Sequence, residues 1–152
     1  MSTLGNILGQ QGRPHTFEHG GKVFRCSLLT QAIKEAFEKE LFDRAVKLLL
    51  SWKPHLERED FVAKLDRLNG EYLAGDYDFV GGKVVEAALQ TPRGVLMLAR
   101  LLLGASEDEI FSIALERIDE LQALVRLVLA QSSPAFARQM EQEDAEGADP
   151  NA

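Results

Sequence analysis

The four-residue sequence Gly-Gly-Lys-Val occurs twice in this chain, at 20–23 and at 81–84. It is the first candidate for a chemically active site, a phosphate-binding loop. Glycine-rich loops that cradle nucleotide phosphates need the pattern GxxxxGK followed by serine or threonine, whose hydroxyl holds magnesium. Valine follows the lysine in both copies, and Thr16 and Tyr77 stand where the first glycine is required. The sequence therefore does not favour a nucleotide-hydrolysing enzyme.

A second candidate is the segment "DYDFVGGKVVEA", which resembles part of a calcium loop. Asp76, Asp78 and Gly81 fall at positions one, three and six of such a loop. Position twelve needs a bidentate glutamate, and Ala87 stands there. We therefore expect the two aspartates to make turn and capping hydrogen bonds instead of binding calcium.

The third candidate is a group of histidines beside the only cysteine. His15 and His19 can share one face of a strand, and Cys26 can lie across a hairpin from them. A structural zinc site needs four ligands, and no fourth is evident. For catalysis, Cys26 as nucleophile and the distant His55 as base form the remaining candidate pair. No local sequence feature supports that pair. The sequence predicts no enzyme activity, no metal ion and no cofactor.

Turn signals and periodicity predict the elements that position these residues. Gly20-Gly21 lies between two short strand-like runs and predicts a β-hairpin, because tight primed turns need positive φ. Apolar residues spaced by three and four predict helices after it. These helices begin near Thr30, near Glu57, at Lys83, at Thr91-Pro92 and at Glu107, and the last has a predicted kink near Glu116.

The predicted fold is mainly α, a single compact helical domain over residues 15–136 with a short N-terminal β-hairpin. Residues 1–14 are predicted to be flexible, and residues 137–152 to be a disordered acidic tail. The first long helix carries one apolar face, and the second carries a shorter stripe. The face consists of Ile33, Phe37, Leu41, Ala45, Leu48 and Trp52, and the stripe of Phe61, Leu65, Leu68 and Tyr72.

Charge and composition limit the class of partner. The formal net charge is −7, and five acids with no base fall within residues 139–152. No dense basic stripe exists, so nucleic acid is not the expected partner. No apolar run reaches the roughly 20 residues of a membrane span, and no secretory signal is recognisable at the N-terminus. We therefore expect a cytoplasmic protein without a membrane partner.

The last helix carries more apolar residues than one face needs. Leu121 and Val128 lie on its regular stripe, whereas Leu124 and Leu127 fall off that stripe. Something must cover the second face, either the rest of the domain or a partner. These three leucines and one valine are therefore the predicted partner-binding residues.

The order of elements resembles a known group of proteins. A hairpin is followed by "SLLTQAIKEAFEKEL", then "YDFVGGKVVEAALQTPRGVLMLARLLL", then "SEDEIFSIALERIDELQALVRLVL". This order resembles small proteins encoded near the tape-measure gene of tailed bacteriophages, the tail assembly chaperones of long-tailed phages. The likeness covers roughly residues 16–130 and is one of pattern and order, without a catalytic motif.

The resemblance implies a non-enzymatic function in the host cytoplasm. Such chaperones bind the tape-measure protein transiently, keep its long apolar helices soluble during tail assembly, and in part recruit tail-tube protein. Self-association into a homo-oligomer and a longer frameshifted form are further expectations of this kind. The alternative functions are a structural component of the phage tail and an unrelated helical adaptor. Presence in purified particles would distinguish a virion component from a chaperone.

Overall fold

A computed structural model describes residues 15–132 of the chain, together with Arg138 and Gln142, both helical and exposed. The predicted flexible segment 1–14 and the rest of the predicted acidic tail 137–152 lie outside the described residues. The elements are β1 (His15–His19), β2 (Lys22–Cys26), α1 (Gln31–Trp52), a 3₁₀ turn (Lys53–His55), α2 (Arg58–Leu73), α3 (Lys83–Leu89), α4 (Pro92–Leu103) and α5 (Glu107–Ser132). The prediction of a mainly α fold with an N-terminal hairpin is confirmed.

The two strands form the predicted antiparallel hairpin. Gly20 and Gly21 make its turn with φ of 58° and 78°, a conformation that residues with a Cβ rarely adopt. Phe17 pairs with Phe24 across the strands, and both rings are buried. The first Gly-Gly-Lys-Val sequence thus forms a turn that brings two aromatic rings to one face of the hairpin.

Local capping signals set the helix ends. The backbone N–H of Gly94 donates to Thr91 Oγ1 at 3.1 Å, and Pro92 is the first residue of α4. Ser106 and Glu109 exchange hydrogen bonds of 3.1 Å in both directions, which is the predicted capping box. Lys22 on β2 also donates to Glu109 at 2.7 Å, and this bond is the main reason why the pKa of that carboxyl is lowered.

Where the sequence predicts one domain, the contacts of the described residues fall into two compact units. One unit joins the hairpin to the chain from Leu98 onward, and the other runs from Gln31 to Met97. In the first unit, Ser27 N–H donates to Leu102 O at 2.8 Å and ties the end of the hairpin to α4. Its buried apolar residues include Phe17, Phe24, Cys26, Leu98, Leu102, Ile113, Leu121, Val125 and Val128.

The predicted kink of α5 is confirmed at Arg117, whose φ of −140° and ψ of 41° are not helical. The guanidinium of Arg117 lies 4.2 Å from the centroid of the Phe17 ring and donates to the carbonyl of Glu18. Its Nε also donates to Glu120 at 2.9 Å. The kink is therefore stabilised by contacts with strand β1.

In the second unit, the loop 74–82 folds back over the first half of α1. Phe79 packs edge-on against Phe37 at 5.6 Å between ring centroids, and both rings are buried. The backbone N–H of Phe79 donates to Glu38 on α1 at 2.8 Å. At the loop's exit, the Lys83 ammonium pairs with the Asp76 carboxylate at 3.2 Å. The second Gly-Gly-Lys-Val sequence thus connects the loop to the start of α3.

No helix within residues 15–132 combines the length and the apolar content that crossing a membrane requires.

Two glycines give a stability test of the second unit. A Cβ built on Gly94 would lie 1.9 Å from the carbonyl oxygen of Ala88, whereas a Cβ on Gly70 in α2 would meet nothing within 4 Å. Gly94→Ala should lower the free energy of unfolding by about 1–3 kcal/mol, because α3 and α4 must separate. Gly70→Ala should raise it by roughly 0.5–1 kcal/mol. Urea unfolding measures both, and a neutral Gly94→Ala would contradict the close approach.

Candidate partner-binding groove

The second unit carries an apolar groove of about 220 Å³ between the end of α1 and the middle of α2. We call it the α1–α2 groove. Ala45, Leu48, Leu49 and Trp52 line it from α1, and Lys64, Arg67, Leu68 and Glu71 line it from α2.

Two aromatic contacts fix how the helices lie along this groove. Phe42 packs against Tyr72 with 4.5 Å between ring centroids, and the Lys53 ammonium lies 5.3 Å from the Phe61 ring. The end of α1 therefore meets the start of α2, so the helices run antiparallel. Trp52 and Lys64 mark one end of the groove, and Ala45 and Glu71 mark the other.

The groove exists because the apolar face of α1 is covered only along its first half. Phe37 is fully buried on that face, under Phe79. Further along, Leu48 is 53% exposed and Trp52 is 47% exposed. The sequence places both residues on the apolar face of this helix, and the structure leaves both of them exposed. Leu49, one position off the predicted face, is buried instead.

Helix α2 buries little of its own surface against α1. It has no buried residue, and the predicted stripe positions Phe61, Leu65 and Leu68 are only half-buried. Tyr72 on the same stripe is 48% exposed. Because α2 packs beside the predicted face of α1 and not over it, the apolar residues of both helices border the groove. Large apolar surface of this kind marks interaction sites more often than isolated exposed residues do.

Charged side chains border the groove. Lys64 is exposed, and Glu71 is half-buried and accepts from Arg67 Nε at 3.2 Å. An apolar floor bordered by Lys64 and by the Arg67–Glu71 ion pair suits an amphipathic helix, which supplies apolar anchors at helical spacing. The residues that line the groove include no serine, cysteine or histidine.

The structure corrects part of the predicted binding site on α5. Leu121 and Val128 are fully buried in the first unit, so they are core residues and offer no surface to a partner. Leu124 and Leu127 are half-buried. The second apolar side of this helix, at Leu124 and Leu127, is therefore covered in part, and cover by the rest of the domain was one of the two explanations that the sequence left open.

A second cleft, of about 510 Å³, lies in the first unit between the hairpin turn and α5. His19 Nε2 lies 3.5 Å from Ser112 Oγ and 3.9 Å from Glu116 Oε2. A catalytic serine needs a histidine whose other ring nitrogen is held by an acid, and here both neighbours meet the same nitrogen. Ser112, His19 and Glu116 therefore do not form a Ser-His-acid triad.

Cys26 and His15 face each other in the hairpin register, as the sequence predicts, but they do not form a metal site there. His15 Nε2 lies 3.0 Å from Gln131 Oε1, and the Cys26 thiol is buried. Burial raises the pKa of Cys26 to about 11, so the thiol stays protonated at neutral pH. Among residues 15–132, no three His, Cys, Asp or Glu side chains are grouped to hold a metal ion.

Adjacent leucines on α1 test the geometry of the groove. Leu49→Ala should cost about 2–5 kcal/mol of unfolding free energy, as buried leucine truncations do. Leu48→Ala should cost about 1 kcal/mol or less, because that side chain is already half exposed. Chemical denaturation of the two variants compares them directly. Equal costs would place both residues in the core and remove the groove.

The cysteine gives a pH test. Only the thiolate reacts with iodoacetamide, and the folded protein holds the Cys26 pKa above its ordinary value of 9.0. We expect slow labelling of the folded protein at pH 8, with a rise only as the pH approaches 11. Labelling in denaturant should be fast at pH 8. Rapid labelling of the folded protein at pH 8 would show that the hairpin does not bury this thiol.

No protein-family model matches the chain, and neither a curated protein nor a solved structure matches it.

Proposed function

We propose that this protein is a non-enzymatic tail assembly chaperone of a long-tailed bacteriophage. It binds the tape-measure protein transiently through the α1–α2 groove and keeps it soluble in the host cytoplasm during tail assembly. The observation that carries this proposal is the uncovered second half of the apolar face of α1, at Leu48 and Trp52. The order of elements that resembles such chaperones supplies the identity of the partner.

The groove has the character of a helix-binding site. An amphipathic helix that lies along it would set its apolar residues against Leu48, Trp52 and Leu68. Tryptophan is among the residues that contribute most to binding when a partner covers them, and Trp52 is the only tryptophan in the chain. We therefore assign Trp52 as the main anchor, with Leu48 beside it.

The dimensions favour a transient contact. Ala45 and Trp52 are seven residues apart on α1, which corresponds to about 10 Å along the helix. About two turns of a partner helix fit over that length, so the interface is small and belongs with weak, reversible complexes. A long helical partner offers such segments repeatedly along its length. Weak contacts with many segments would keep that partner soluble and still release it when the tail assembles.

The test is coexpression of the protein with segments of tape-measure protein that aggregate alone. The double variant Leu48→Asp with Trp52→Asp should lose the ability to keep the segments soluble, because two carboxylates would have to be buried in the interface. Leu73→Asp is the matched control, since Leu73 is 84% exposed on α2 and lies outside the groove. It should behave as the unaltered protein does. With the unaltered protein, Trp52 emission should also shift to shorter wavelength as segments are added.

Three outcomes would oppose the proposal. Equal loss of activity in Leu73→Asp would mean that the effect is not specific to the groove. Full activity of the double variant would move the site elsewhere, and the variant pair Leu124→Asp with Leu127→Asp tests the half-buried surface of α5. Recovery of the protein from purified particles would support a structural tail component instead. Circular dichroism must show that each variant is folded.

A further inference from the structure

We propose that the first half of α5 and the cleft beside the hairpin turn together bind a basic helical segment of another protein. We call this site the Phe111–Leu115 surface. It consists of those two apolar side chains and of Glu18 and Glu116 in the adjoining cleft. It lies wholly within the first unit, so it is separate from the α1–α2 groove and does not depend on the proposed function.

The apolar part of this surface is uncovered. Phe111 is 62% exposed and Leu115 is 72% exposed, and these two residues are neighbours on successive turns of α5. On the other side of the same turns, Ile110 and Ile113 are buried. The core of the first unit therefore takes one side of α5 and leaves large apolar side chains on the opposite side. Adjacent exposed apolar residues mark interaction sites more often than single ones do.

The cleft continues this surface towards the hairpin. Ser112 is the residue after Phe111, and it lines the cleft of about 510 Å³. Glu116, the residue after Leu115, lines the cleft as well, and Glu18 lines it from β1. A lysine or arginine side chain that enters the cleft would meet carboxylates from the helix and from the strand. The cleft is therefore suited to a cation, next to a ridge suited to apolar side chains.

The protein's own cations leave these carboxylates available. Arg117 also lines the cleft, but its guanidinium pairs with the carboxylate of Glu120. On β2, Lys22 is paired with Glu109 at 2.7 Å. Arg25 is the remaining base of the hairpin, and it is not among the residues that line the cleft. The negative charge of the cleft is therefore not neutralised by these ion pairs.

The charge of the surrounding residues has the same sign. The hairpin 15–26 and the first half of α5, 107–120, contain seven carboxylates and three bases, a formal net charge of −4 with histidine neutral. Glu107 and Asp108 lie in the first turn of α5, where the helix N-terminus offsets part of their charge. Glu116 and Asp119 lie beyond that turn and are exposed. The Phe111–Leu115 surface is therefore apolar in its middle and acidic at its border.

This combination selects one class of occupant. Nucleic acids and anionic lipid surfaces carry charge of the same sign and are repelled. A second copy that paired through this surface would set carboxylates against carboxylates, because a two-fold interface uses the same patch on both sides. A helix with two apolar residues one turn apart and a lysine or arginine beside them matches both parts. The contact area is small, so the complex belongs with weak, reversible ones.

Three designed peptides test the surface by fluorescence anisotropy with the full chain at pH 8, where histidine side chains are neutral. The first is a labelled helical peptide with two leucines one turn apart, flanked by lysines. Glutamate replaces each lysine in the second, and serine replaces each leucine in the third. The first peptide should bind. The other two should bind more weakly by roughly tenfold or more, because each lacks one of the two kinds of contact.

Variants of the protein locate the site. Leu115→Ser removes an apolar contact and Glu116→Lys opposes the lysines, so each should weaken binding of the first peptide by roughly tenfold or more. Asp66→Lys is the matched control for charge, since Asp66 is exposed on α2 and lies outside the groove. It should bind as the unaltered protein does. The groove variant Leu48→Asp with Trp52→Asp should still bind the first peptide.

Five outcomes would overturn the proposal. These are no binding of the first peptide, equal binding of all three, equal weakening by Asp66→Lys, loss of binding in the groove variant, and a dimer in sedimentation equilibrium that Leu115→Ser dissociates. The last two would assign the peptide to the groove and the surface to a second copy. Slow labelling of Cys26 at pH 8 checks that the hairpin of each variant stays packed. The solubility assay tests the proposed function separately, because it depends on the groove and not on this surface.

Discussion

The central constraint in the second unit is the length of the apolar face of α1. This helix has 22 residues, and its apolar face extends along nearly its whole length. Loop 74–82 covers the first half through the contact of Phe79 with Phe37 and the hydrogen bond to Glu38. Helix α2 then packs beside the second half. The helix is simply longer than the elements of its unit that cover it, and the groove is the part left over.

Much of the fold is readable from local signals. The glycine turn, the Thr91 and Ser106 caps and the kink of α5 all depend on residues close together in sequence, and the structure has each of them. The two uses of Gly-Gly-Lys-Val also follow from their neighbours, a hairpin in one case and a helix entry in the other. Short-range geometry decides these features, so a single sequence suffices to predict them.

The groove was not readable in the same way. Periodicity places Leu48 on the apolar face and Leu49 off it, yet the structure exposes the first and buries the second. The choice depends on the side from which α2 approaches, which is a tertiary contact that no helical pattern encodes. The same limit explains α5. Its two apolar sides predicted a partner, but Leu121 and Val128 on the regular stripe are buried, and Leu124 and Leu127 on the other side are half-buried. A helix that the chain contacts on several sides needs more than one apolar stripe.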